Sequence, residues 1–437
     1  MSTANRIDPS RATTLGEVAA RFGTPCYVYF ARPMRERLHC VEKAFSGRFA
    51  VSFAMKCNPN VGLLRALQGA LTSVDASSGG EVRRAIQAGY PAGQITFSGP
   101  AKRAFEIEYA VGVGCGAIVC ESERQIEVVD ETARRLGRRQ PVLIRVNPNR
   151  VAKRFGLQMG GRPSQFGIDE DAVDGVLERL PRFSALEFAG LHVFSAGNSL
   201  DGAAIAENLL IIAELFDKLV SRHSLAPREL VFGSGFGIPY FADDQELDLA
   251  SIAATVNPVL DRLRARPGHE RCRYVLEMGR WLVGPYGFLL TSVVDAKVSK
   301  GTDIRLCDAG FNNHLSACGM MGTVMRRNWR FWNLSRLAQP ASERFLLVGP
   351  LCASFDVLGT DVDLPPTEPG DIIAIGSSGA YGLTASPTRF ISHPEPREVL
   401  VEDAENAVLL DVTEMTAQPL VRRPGPNQDD SSHGARS

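Results

Sequence analysis

The stretch Phe53-Ala-Met-Lys-Cys-Asn-Pro-Asn60 ends an apolar run that begins at Ala50. The run has the composition of a buried β-strand, and Asn-Pro-Asn predicts a turn directly after it. Lys56 is therefore expected where a buried strand gives way to a loop. Burial lowers the pKa of a lysine, and the neutral amine is the form that attacks carbonyl groups in Schiff-base chemistry. An exposed lysine explains the octapeptide alone at least as well, so the rest of the chain must decide.

This apolar run is the first of eight short strand candidates that alternate with segments of helical length. Regular alternation of this kind predicts the α/β fold class, with a closed (β/α)8 TIM barrel rather than an open sheet. The strand candidates are 50–55, 72–74, 95–97, 117–119, 142–146, 188–193, 229–232 and 274–277. The helical segments include 79–88, 122–136, 169–180 and 202–223.

Functional groups of such a barrel lie at the carboxyl ends of its strands. The residues that fall at the ends of the predicted strands are Lys56, Asp75, Ser98, His192, Gly233 and Glu277. These side chains are therefore expected to face one common site.

After Pro285 the chain changes to apolar runs separated by Gly and Pro turns, with few helical patterns. This texture predicts a mostly β C-terminal domain, a β-sandwich or barrel, over 286–415. The N-terminal segment 1–32 is expected to join that domain, which leaves the barrel to 33–285. The polar, Pro- and Gly-rich stretch 416–437 is expected to be a disordered tail.

The composition excludes several classes of protein. Among 437 residues, 48 Lys and Arg balance 49 Asp and Glu, so bulk charge favours neither nucleic acid nor a membrane surface as partner. No apolar run has the length of a membrane span, and the start of the chain has no signal core. The nine cysteines form no Cys-x-x-Cys pair. We expect a cytoplasmic protein with reduced thiols and no metal site.

Three motifs at predicted strand ends have groups suited to binding an anionic aromatic ligand. Successive glycines in Phe232-Gly-Ser-Gly-Phe-Gly237 allow backbone N–H groups to surround an anion. Glu277-Met-Gly-Arg280 places an acid and a guanidinium where they can bind a cationic ring nitrogen and a phosphate. His192 can stack on a flat ring, with a hydroxyl from Ser195 nearby. The structural alternatives are a tight loop, a salt bridge within a loop and a core histidine.

Further candidates lie in the β domain. Turn-rich segments at 349–356 and 376–382 place Cys352 and Tyr381 on loops, although either could simply be packed. Asp308 could cap a turn and nothing more. Taken together, a Schiff-base lysine, a stacking imidazole, an acid for a pyridine nitrogen and a Gly-plus-Arg phosphate cradle predict pyridoxal 5'-phosphate as cofactor.

Residues from about 26 to 402 resemble the ornithine and diaminopimelate decarboxylase family, the barrel-type (fold type III) pyridoxal-phosphate decarboxylases. The resemblance lies in an ordered set of motifs: Met-Lys-Cys-Asn, Asp-Ala-Ser-Ser-Gly-Gly-Glu, Ser-Gln-Phe-Gly-Ile, His-Val-Phe-Ser, Gly-Ser-Gly-Phe-Gly, Glu-Met-Gly-Arg, Cys-Asp-Ala-Gly, Gly-Pro-Leu-Cys and Gly-Ala-Tyr-Gly.

The resemblance implies how the cofactor is held. Lys56 would carry it, with Asp75 nearby, His192 would stack on its ring, and Glu277 would keep the pyridine nitrogen protonated. The residues implied for the phosphate are Ser195, Gly235, Gly237, Arg280 and Tyr381.

The resemblance also implies a homodimer with shared active sites. Cys352 would return a proton to the α-carbon in the neighbouring subunit, while Asp308 and Arg280 would lie near the substrate. The chain departs from both main branches of the family. Diaminopimelate decarboxylases follow the cysteine with a glutamate where Ala353 stands here, and the aspartate of ornithine-type enzymes is missing unless Asp356 replaces it.

The segments 158–168 and 349–352 resemble a narrower branch that serves biosynthetic clusters, including a decarboxylase for glutamate tethered to an acyl carrier protein. The leading hypothesis is therefore α-decarboxylation of a free, conjugated or carrier-linked amino acid. One alternative is diaminopimelate decarboxylase. Another, of a different class, is a non-catalytic cofactor-binding regulatory homologue, against which the retained Lys56 and Cys352 argue.

One basic and aromatic stretch, Met325-Arg-Arg-Asn-Trp-Arg-Phe-Trp332, lies outside these motifs. Exposed arginines there would dock an acidic carrier protein. The alternative is that the aromatic side chains belong to the core or to a dimer interface and that the arginines form a solvated edge.

Overall fold

The computed structural model describes residues 7–152, 157–158, 161–320, 327–402 and 409–413. The strands of these residues, in chain order, are β1 Cys26–Phe30, β2 Ala50–Ala54, β3 Ser73–Ala76, β4 Ile95–Phe97, β5 Ala117–Cys120, β6 Gln140–Asn147, β7 Leu157–Gln158, β8 Ile168–Asp169, β9 Leu186–Val193, β10 Ala196–Gly197, β11 Glu229–Gly233, β12 Arg273–Met278, β13 Gly287–Ser299, β14 Thr302–Cys307, β15 Phe331–Asn333, β16 Glu343–Val348, β17 Val357–Leu364, β18 Ile372–Ile375, β19 Arg397–Val401 and β20 Leu409–Asp411. The α-helices are α1 Pro9–Phe22, α2 Ala31–Phe45, α3 Val61–Leu67, α4 Gly79–Gln87, α5 Ala104–Val113, α6 Glu123–Arg135, α7 Glu170–Arg179, α8 Gly202–Arg222, α9 Leu249–Arg264 and α10 Arg280–Val283. The segment expected to be a disordered tail, 416–437, lies outside the described residues.

Eight parallel strands form a closed barrel, as the alternating pattern predicts. The order around the barrel is β5-β4-β3-β2-β12-β11-β9-β6, and the pairing of β5 with β6 closes it. Each predicted strand overlaps an observed one, with ends that differ by a few residues. The parallel arrangement brings the carboxyl ends of all eight strands to one face of the barrel.

The barrel interior is small and tightly packed. Alternate residues of five strands meet there in an apolar cluster of Ala117, Val119, Leu143, Ala189, Val231 and Val275. One neighbouring position requires glycine: at Gly190 the backbone φ is +153°, and an added Cβ would lie 1.7 Å from the carbonyl oxygen of Glu229. The close approach of β9 to β11 therefore depends on the missing side chain.

The β domain is built on a second sheet, which the chain's first strand completes. Its main path runs β17-β16-β14-β13-β1-β19-β20, and β18 pairs with β13 and β15. Strand β1 lies antiparallel to β13 and parallel to β19. Helix α1 covers this part of the sheet through Leu15 and Val18, which pack with Val28 and Phe288.

A loop of the β domain covers the carboxyl end of β2. The N–H of Tyr381 donates to the carbonyl oxygen of Cys57 at 2.8 Å, and Asn58 Nδ2 donates to the carbonyl of Gly379 at 3.0 Å. The segment 376–382 is thereby fixed against the residue that follows Lys56. Within the described part of the chain, no helix is both long and apolar enough to span a bilayer.

We expect Tyr29→Phe to weaken the sheet that joins the two ends of the chain. The Tyr29 hydroxyl on β1 donates to Glu398 Oε1 on β19 at 2.8 Å, and both side chains are buried. Hydrogen bonds to charged groups contribute about 1.5–3 kcal/mol, so urea denaturation should show a loss of that size. Tyr109→Phe, at a half-buried position on α5, is the control. Equal losses in the two variants would contradict the role of this bond.

Candidate active site

A cavity of about 370 Å³ opens at the carboxyl ends of the barrel strands. Of the residues predicted from sequence, six line it: Lys56, Ser98, Gly235, Glu277, Arg280 and Tyr381. Two larger depressions, of about 710 and 660 Å³, lie at the opposite end beside the first residues of the strands, among arginines such as Arg48 and Arg138. Barrel chemistry takes place at the carboxyl end, so the smaller cavity is the candidate site.

Lys56 projects into this cavity from a single 3₁₀ turn, Met55–Cys57, that follows β2. Its Nζ lies 4.9 Å from the centre of the Phe194 ring. The expected lowering of its pKa is wrong for the protein without cofactor. Burial does lower the pKa of Lys56, but its electrostatic interactions, first with Glu277 and then with Tyr381 and Asp75, outweigh burial, so the net direction is upward. Lys56 must therefore lose a proton before it can attack a carbonyl.

His192 and Glu277 form a buried hydrogen-bonded pair behind the cavity. His192 Nε2 and Glu277 Oε2 are 2.8 Å apart, and both side chains are almost completely buried. Burial lowers the pKa of His192, so the imidazole is neutral and Nε2–H donates. Burial alone would raise the pKa of Glu277, but His192, Lys56 and Arg145 hold it at about 2. Among the described residues, His192 Nδ1 has no hydrogen-bond partner.

Asp75 is a second buried acid close to this pair. Ser98 Oγ donates to its Oδ2 at 2.7 Å, whereas Oδ1 has no partner among the residues that the structure describes. Burial and the charge of Glu277 raise the pKa of Asp75 well above its usual range. A carboxyl group of this kind is suited to holding a proton.

The glycine loop and Arg280 form one wall of the cavity. Gly235 has a backbone φ of +70°, which glycine adopts without strain and which turns the loop toward the cavity. Arg280 donates to the hydroxyl of Tyr240, and its guanidinium lies 4.5 Å from the centre of the Tyr381 ring. This wall combines a cation, a phenol and backbone N–H groups, which suits a phosphate.

Two other residues predicted to hold a phosphate are already hydrogen-bonded within the protein. The N–H of Gly237 donates to the carbonyl of Ser199 at 2.8 Å. Ser195 Oγ donates to Asn208 Oδ1 at 2.6 Å. Neither residue lines the cavity, so in this conformation both shape the loops behind the wall.

Asp308 and Asp356, predicted to lie near the substrate, also have structural partners instead. Asp308 accepts hydrogen bonds from three hydroxyl groups, those of Thr24, Thr291 and Ser292, at 2.5–2.7 Å. This arrangement matches the turn-capping alternative. The two oxygens of Asp356 accept the N–H groups of Phe311 and Leu351 at 2.8 and 2.9 Å. Neither carboxylate lines the cavity.

The stretch 325–332 does not provide a free basic patch in its described part. Arg326 lies outside the described residues. Arg327 is paired with Asp243 and lies 4.0 Å from the centre of the Phe241 ring. Arg330 Nη2 donates to the carbonyl of Phe241 at 3.2 Å, and Trp329 packs on Tyr240 in the core. The alternative with core aromatics and an arginine edge therefore describes this segment.

Sequence reasoning missed several residues of the cavity wall, above all Arg145, Phe166 and Phe194. Arg145 forms a buried ion pair with Glu121, Nη1 to Oε2, at 3.1 Å. A signal for it existed, because Arg145 is the one charge in the apolar run Val142-Leu-Ile-Arg-Val146. A charged residue inside a barrel strand is rarely buried without a partner.

The cavity residues fit pyridoxal phosphate. The donor set contains an amine, a carboxylate of depressed pKa and a guanidinium beside a phenol. The wall also needs a small residue at Gly279, where an added Cβ would lie 3.0 Å from Cys57 Sγ and 3.2 Å from the carbonyl of Ala54. Because Gly279 has no side chain, the backbone passes close to Cys57 and Ala54 and leaves the cavity open between Lys56 and Arg280.

Comparison with known proteins leads to the same class. Residues 31–284 match the family model described as the pyridoxal binding domain of pyridoxal-dependent decarboxylases. The chain is 30% identical over 397 residues to L-glutamyl-[BtrI acyl-carrier protein] decarboxylase of Niallia circulans, covering 90% of this chain and 92% of that protein. It is 29% identical over 405 residues to diaminopimelate decarboxylase of Zymomonas mobilis, with coverage of 90% and 91%. The crystal structure of diaminopimelate decarboxylase from Helicobacter pylori complexed with L-lysine superposes with a TM-score of 0.81 at 27% identity, covering 92% of this chain and 97% of that one.

The chain therefore belongs to the pyridoxal-dependent decarboxylase family. It is a pyridoxal-phosphate-dependent carboxy-lyase that acts on an amino acid, as its motifs predict. The predicted family, fold, cofactor and enzyme class are thus confirmed.

We expect the contribution of Glu277 to stability to disappear in acid. Its pKa of about 2 lies below the value of about 4.3 in an unfolded chain. A depressed carboxyl pKa stabilises the fold above the unfolded value, and that stabilisation is lost as the pH falls toward 2. At pH 7 the free energy of unfolding of the wild-type protein should therefore exceed that of the Glu277→Gln variant by on the order of 3 kcal/mol. This difference should shrink below about pH 4.

Chemical denaturation of the cofactor-free protein at several pH values measures this difference. Glu207→Gln, at an exposed position on α8, is the matched control. A difference that stays constant from neutral to acid pH would show that His192 does not stabilise the charged form of Glu277.

Proposed function

We propose that this decarboxylase acts on an amino acid whose far end is acylated onto a carrier rather than carrying a free ammonium group. One observation carries the proposal: among the described residues that line the cavity, Glu277 is the only acid, and it is bonded to His192. Binding an ammonium group in a buried site without an acidic partner costs free energy, up to several kcal/mol when the group is fully buried. The relative that acts on a glutamyl carrier protein supports the same substrate class.

Diaminopimelate decarboxylation is the second candidate, because several relatives have that activity by name. Two features of this chain weigh against it. Ala353 follows Cys352, where an acid would be needed to hold a distal ammonium group. Asp356 is the nearest acid in the sequence, and both of its oxygens accept backbone N–H groups.

We assign the cofactor contacts as follows. When bound, pyridoxal phosphate supplies an electron sink for the pair left on the α-carbon by departing carbon dioxide. Lys56 provides the attacking amine once it has lost its proton, and Asp75 is a buried acid that interacts with it. Glu277, ionised at neutral pH, is suited to keep a ring nitrogen protonated. Arg280, Tyr381 and the N–H of Gly235 are the proposed phosphate ligands.

His192 has a separate proposed role. Its neutral imidazole is buried and held in orientation by Glu277. A flat uncharged ring in this position can stack on the cofactor and exclude water from one of its faces. Phe194, which lines the cavity beside Lys56, adds an apolar surface on which a carboxylate loses its hydration.

We further propose that two copies of the chain share their active sites, with Cys352 of one copy acting as proton donor in the other. Cys352 is exposed and does not line the Lys56 cavity of its own chain. Close by in sequence, the Phe355 side chain is 53% exposed, and its ring lies 5.0 Å from Phe311. The ring of Phe390, which is 43% exposed, also lies close to Phe311, with ring centres 5.4 Å apart. An apolar patch next to a reactive thiol fits a second copy as its cover.

The substrate proposal is tested by carbon dioxide release from matched substrates. We expect kcat/KM for L-glutamate tethered to a carrier protein to exceed that for meso-diaminopimelate by roughly a hundredfold. The reason is that the distal ammonium group of diaminopimelate would have no acidic partner in the site. Lys56→Ala should abolish release from both. Ala353→Glu, which restores the missing acid, should narrow the gap. A preference of the wild type for diaminopimelate would overturn the proposal in favour of the second candidate.

The shared site is tested by mixing two inactive variants. Lys56→Ala lacks the cofactor amine, whereas Cys352→Ala should bind cofactor but release product slowly, since a general acid contributes roughly a hundredfold or more. Random exchange of subunits places both intact residues at one site of each mixed dimer, so activity should recover to roughly a quarter of the wild-type value. Absence of any recovery, with mixed dimers verified by mass, would show that each chain forms its site alone.

A further inference from the structure

A carboxylate outside the cavity wall holds much of that wall together. Glu121 directly follows β5, and its side chain is 1% exposed. One oxygen accepts the N–H of Gly99 at 2.8 Å. The other accepts the N–H of Gly167 at 3.2 Å and pairs with Arg145 Nη1 at 3.1 Å. Gly99, Phe166 and Arg145 all line the cavity, so one side chain links three separate parts of its wall.

The Arg145 guanidinium stands next to the groups assigned to the chemistry. Arg145 on β6 is directly opposite His192 in the register with β9. Its Cζ lies 4.7 Å from the centre of the Phe166 ring, so the planar group is held between that ring and the Glu121 carboxylate. It lines the same cavity as Lys56.

We propose that Glu121 is a positioning residue for Lys56: its buried carboxylate fixes Arg145 in the cavity wall and anchors that wall to the backbone at Gly99 and Gly167. Through this arrangement it governs how readily Lys56 takes up the cofactor. The inference rests on the proposed role of Lys56 and extends it to a residue that neither lines the cavity nor belongs to any of the sequence motifs.

The charges around Lys56 determine what this arrangement does. Burial lowers the pKa of Lys56, Glu277, Tyr381 and Asp75 raise it, and Arg145 lowers it. Glu81 on α4 is a further acid that interacts with the lysine. Arg145 therefore favours the neutral amine, which is the form that attacks a carbonyl. In Glu121→Gln a side chain of the same shape still lies against Arg145, but the carboxylate charge that opposes the guanidinium is gone. Glu121→Gln and Arg145→Gln should therefore shift the pKa of Lys56 in opposite directions.

The same loop offers a control that braces the wall without touching Arg145. Lys102 Nζ donates to the carbonyls of Gly99 and Val119 at 2.7 and 2.5 Å and to Gln125 Oε1 at 3.0 Å. Lys102→Arg retains the buried positive charge that interacts with Glu121 and Arg145 but cannot repeat these three hydrogen bonds, so it loosens the segment at Gly99 without changing the charge. A purely mechanical role of Glu121 would make the two variants behave alike.

The rate at which cofactor-free enzyme loads pyridoxal phosphate tests the proposal without any substrate. Stopped-flow absorbance in the visible range, at several pH values between about 7 and 9.5, follows the neutral fraction of Lys56 because only that form reacts. At a fixed pH we expect Arg145→Gln to load roughly three- to tenfold more slowly, and Glu121→Gln to load faster, since one pKa unit is tenfold in the neutral fraction. The double variant should return toward the wild type, and Lys102→Arg, which keeps the charge, should not change the rate.

Any result in which Glu121→Gln fails to move the rate opposite to Arg145→Gln overturns the proposal, as does a change in Lys102→Arg that matches the one in Glu121→Gln. If Glu121→Gln does not fold, the double variant replaces it, because it leaves no buried charge unpaired. The double variant must then load faster than Arg145→Gln alone, and an equal rate overturns the proposal. A wild type that does not load the cofactor would contradict the role of Lys56 itself, and with it this inference.

Discussion

Parallel pairing of β2 with β12, the first and last barrel strands along the chain, joins the two ends of the barrel, and the active site depends on it. Lys56, His192 and Glu277 lie far apart in the sequence, but each ends or follows a barrel strand. An open sheet would leave the first and last of these strands at distant edges. In the closed barrel β2 is instead paired with β12, which brings Lys56 next to Glu277. The glycine at position 190 permits one of the close strand contacts on which the closure relies.

The cavity concentrates buried charge of both signs around one lysine. Isolated buried charges are strongly disfavoured, and buried pairs are tolerated only when further hydrogen bonds satisfy them. Here Glu121 and Arg145 form one such pair at the adjacent strands β5 and β6, and His192 and Glu277 form a second across β11, on β9 and β12. Their arrangement gives each group a fixed protonation state before any ligand binds. Glu277 is ionised whereas Asp75 favours its protonated form, because the surroundings of these two carboxylic acids differ. His192 is neutral.

Much of the fold could be predicted from the sequence because barrel strands are continuous apolar runs ended by polar or glycine residues. The strands that were missed lack that signature or lie outside the alternating pattern: β17 is interrupted by Gly359 and two aspartates, and β15 spans only Phe331–Asn333. The motif residues at strand ends were found for the same reason, whereas Glu121 was missed because its role comes entirely from contacts with other strands. Asp308 and Asp356 show a limit of prediction from motifs. Motif position alone placed them near the substrate, but tertiary hydrogen bonds that no pattern reveals occupy both carboxylates. The direction of the Lys56 pKa likewise depends on three neighbours from distant segments.

The position of β1 has a consequence for the order in which the protein is made. This fully buried strand, Cys-Tyr-Val-Tyr-Phe, leaves the ribosome before either of its two partners, β13 and β19, has been made. Until β13 is made, the backbone of β1 has no partner strand, and the edge that β19 covers stays unpaired still longer. The nascent chain must complete the barrel while carrying an unpaired apolar strand, a state that favours aggregation and recruits chaperones. Premature termination before residue 397 would leave that strand without its parallel partner, so truncated chains should be cleared by proteolysis rather than accumulate as folded barrels.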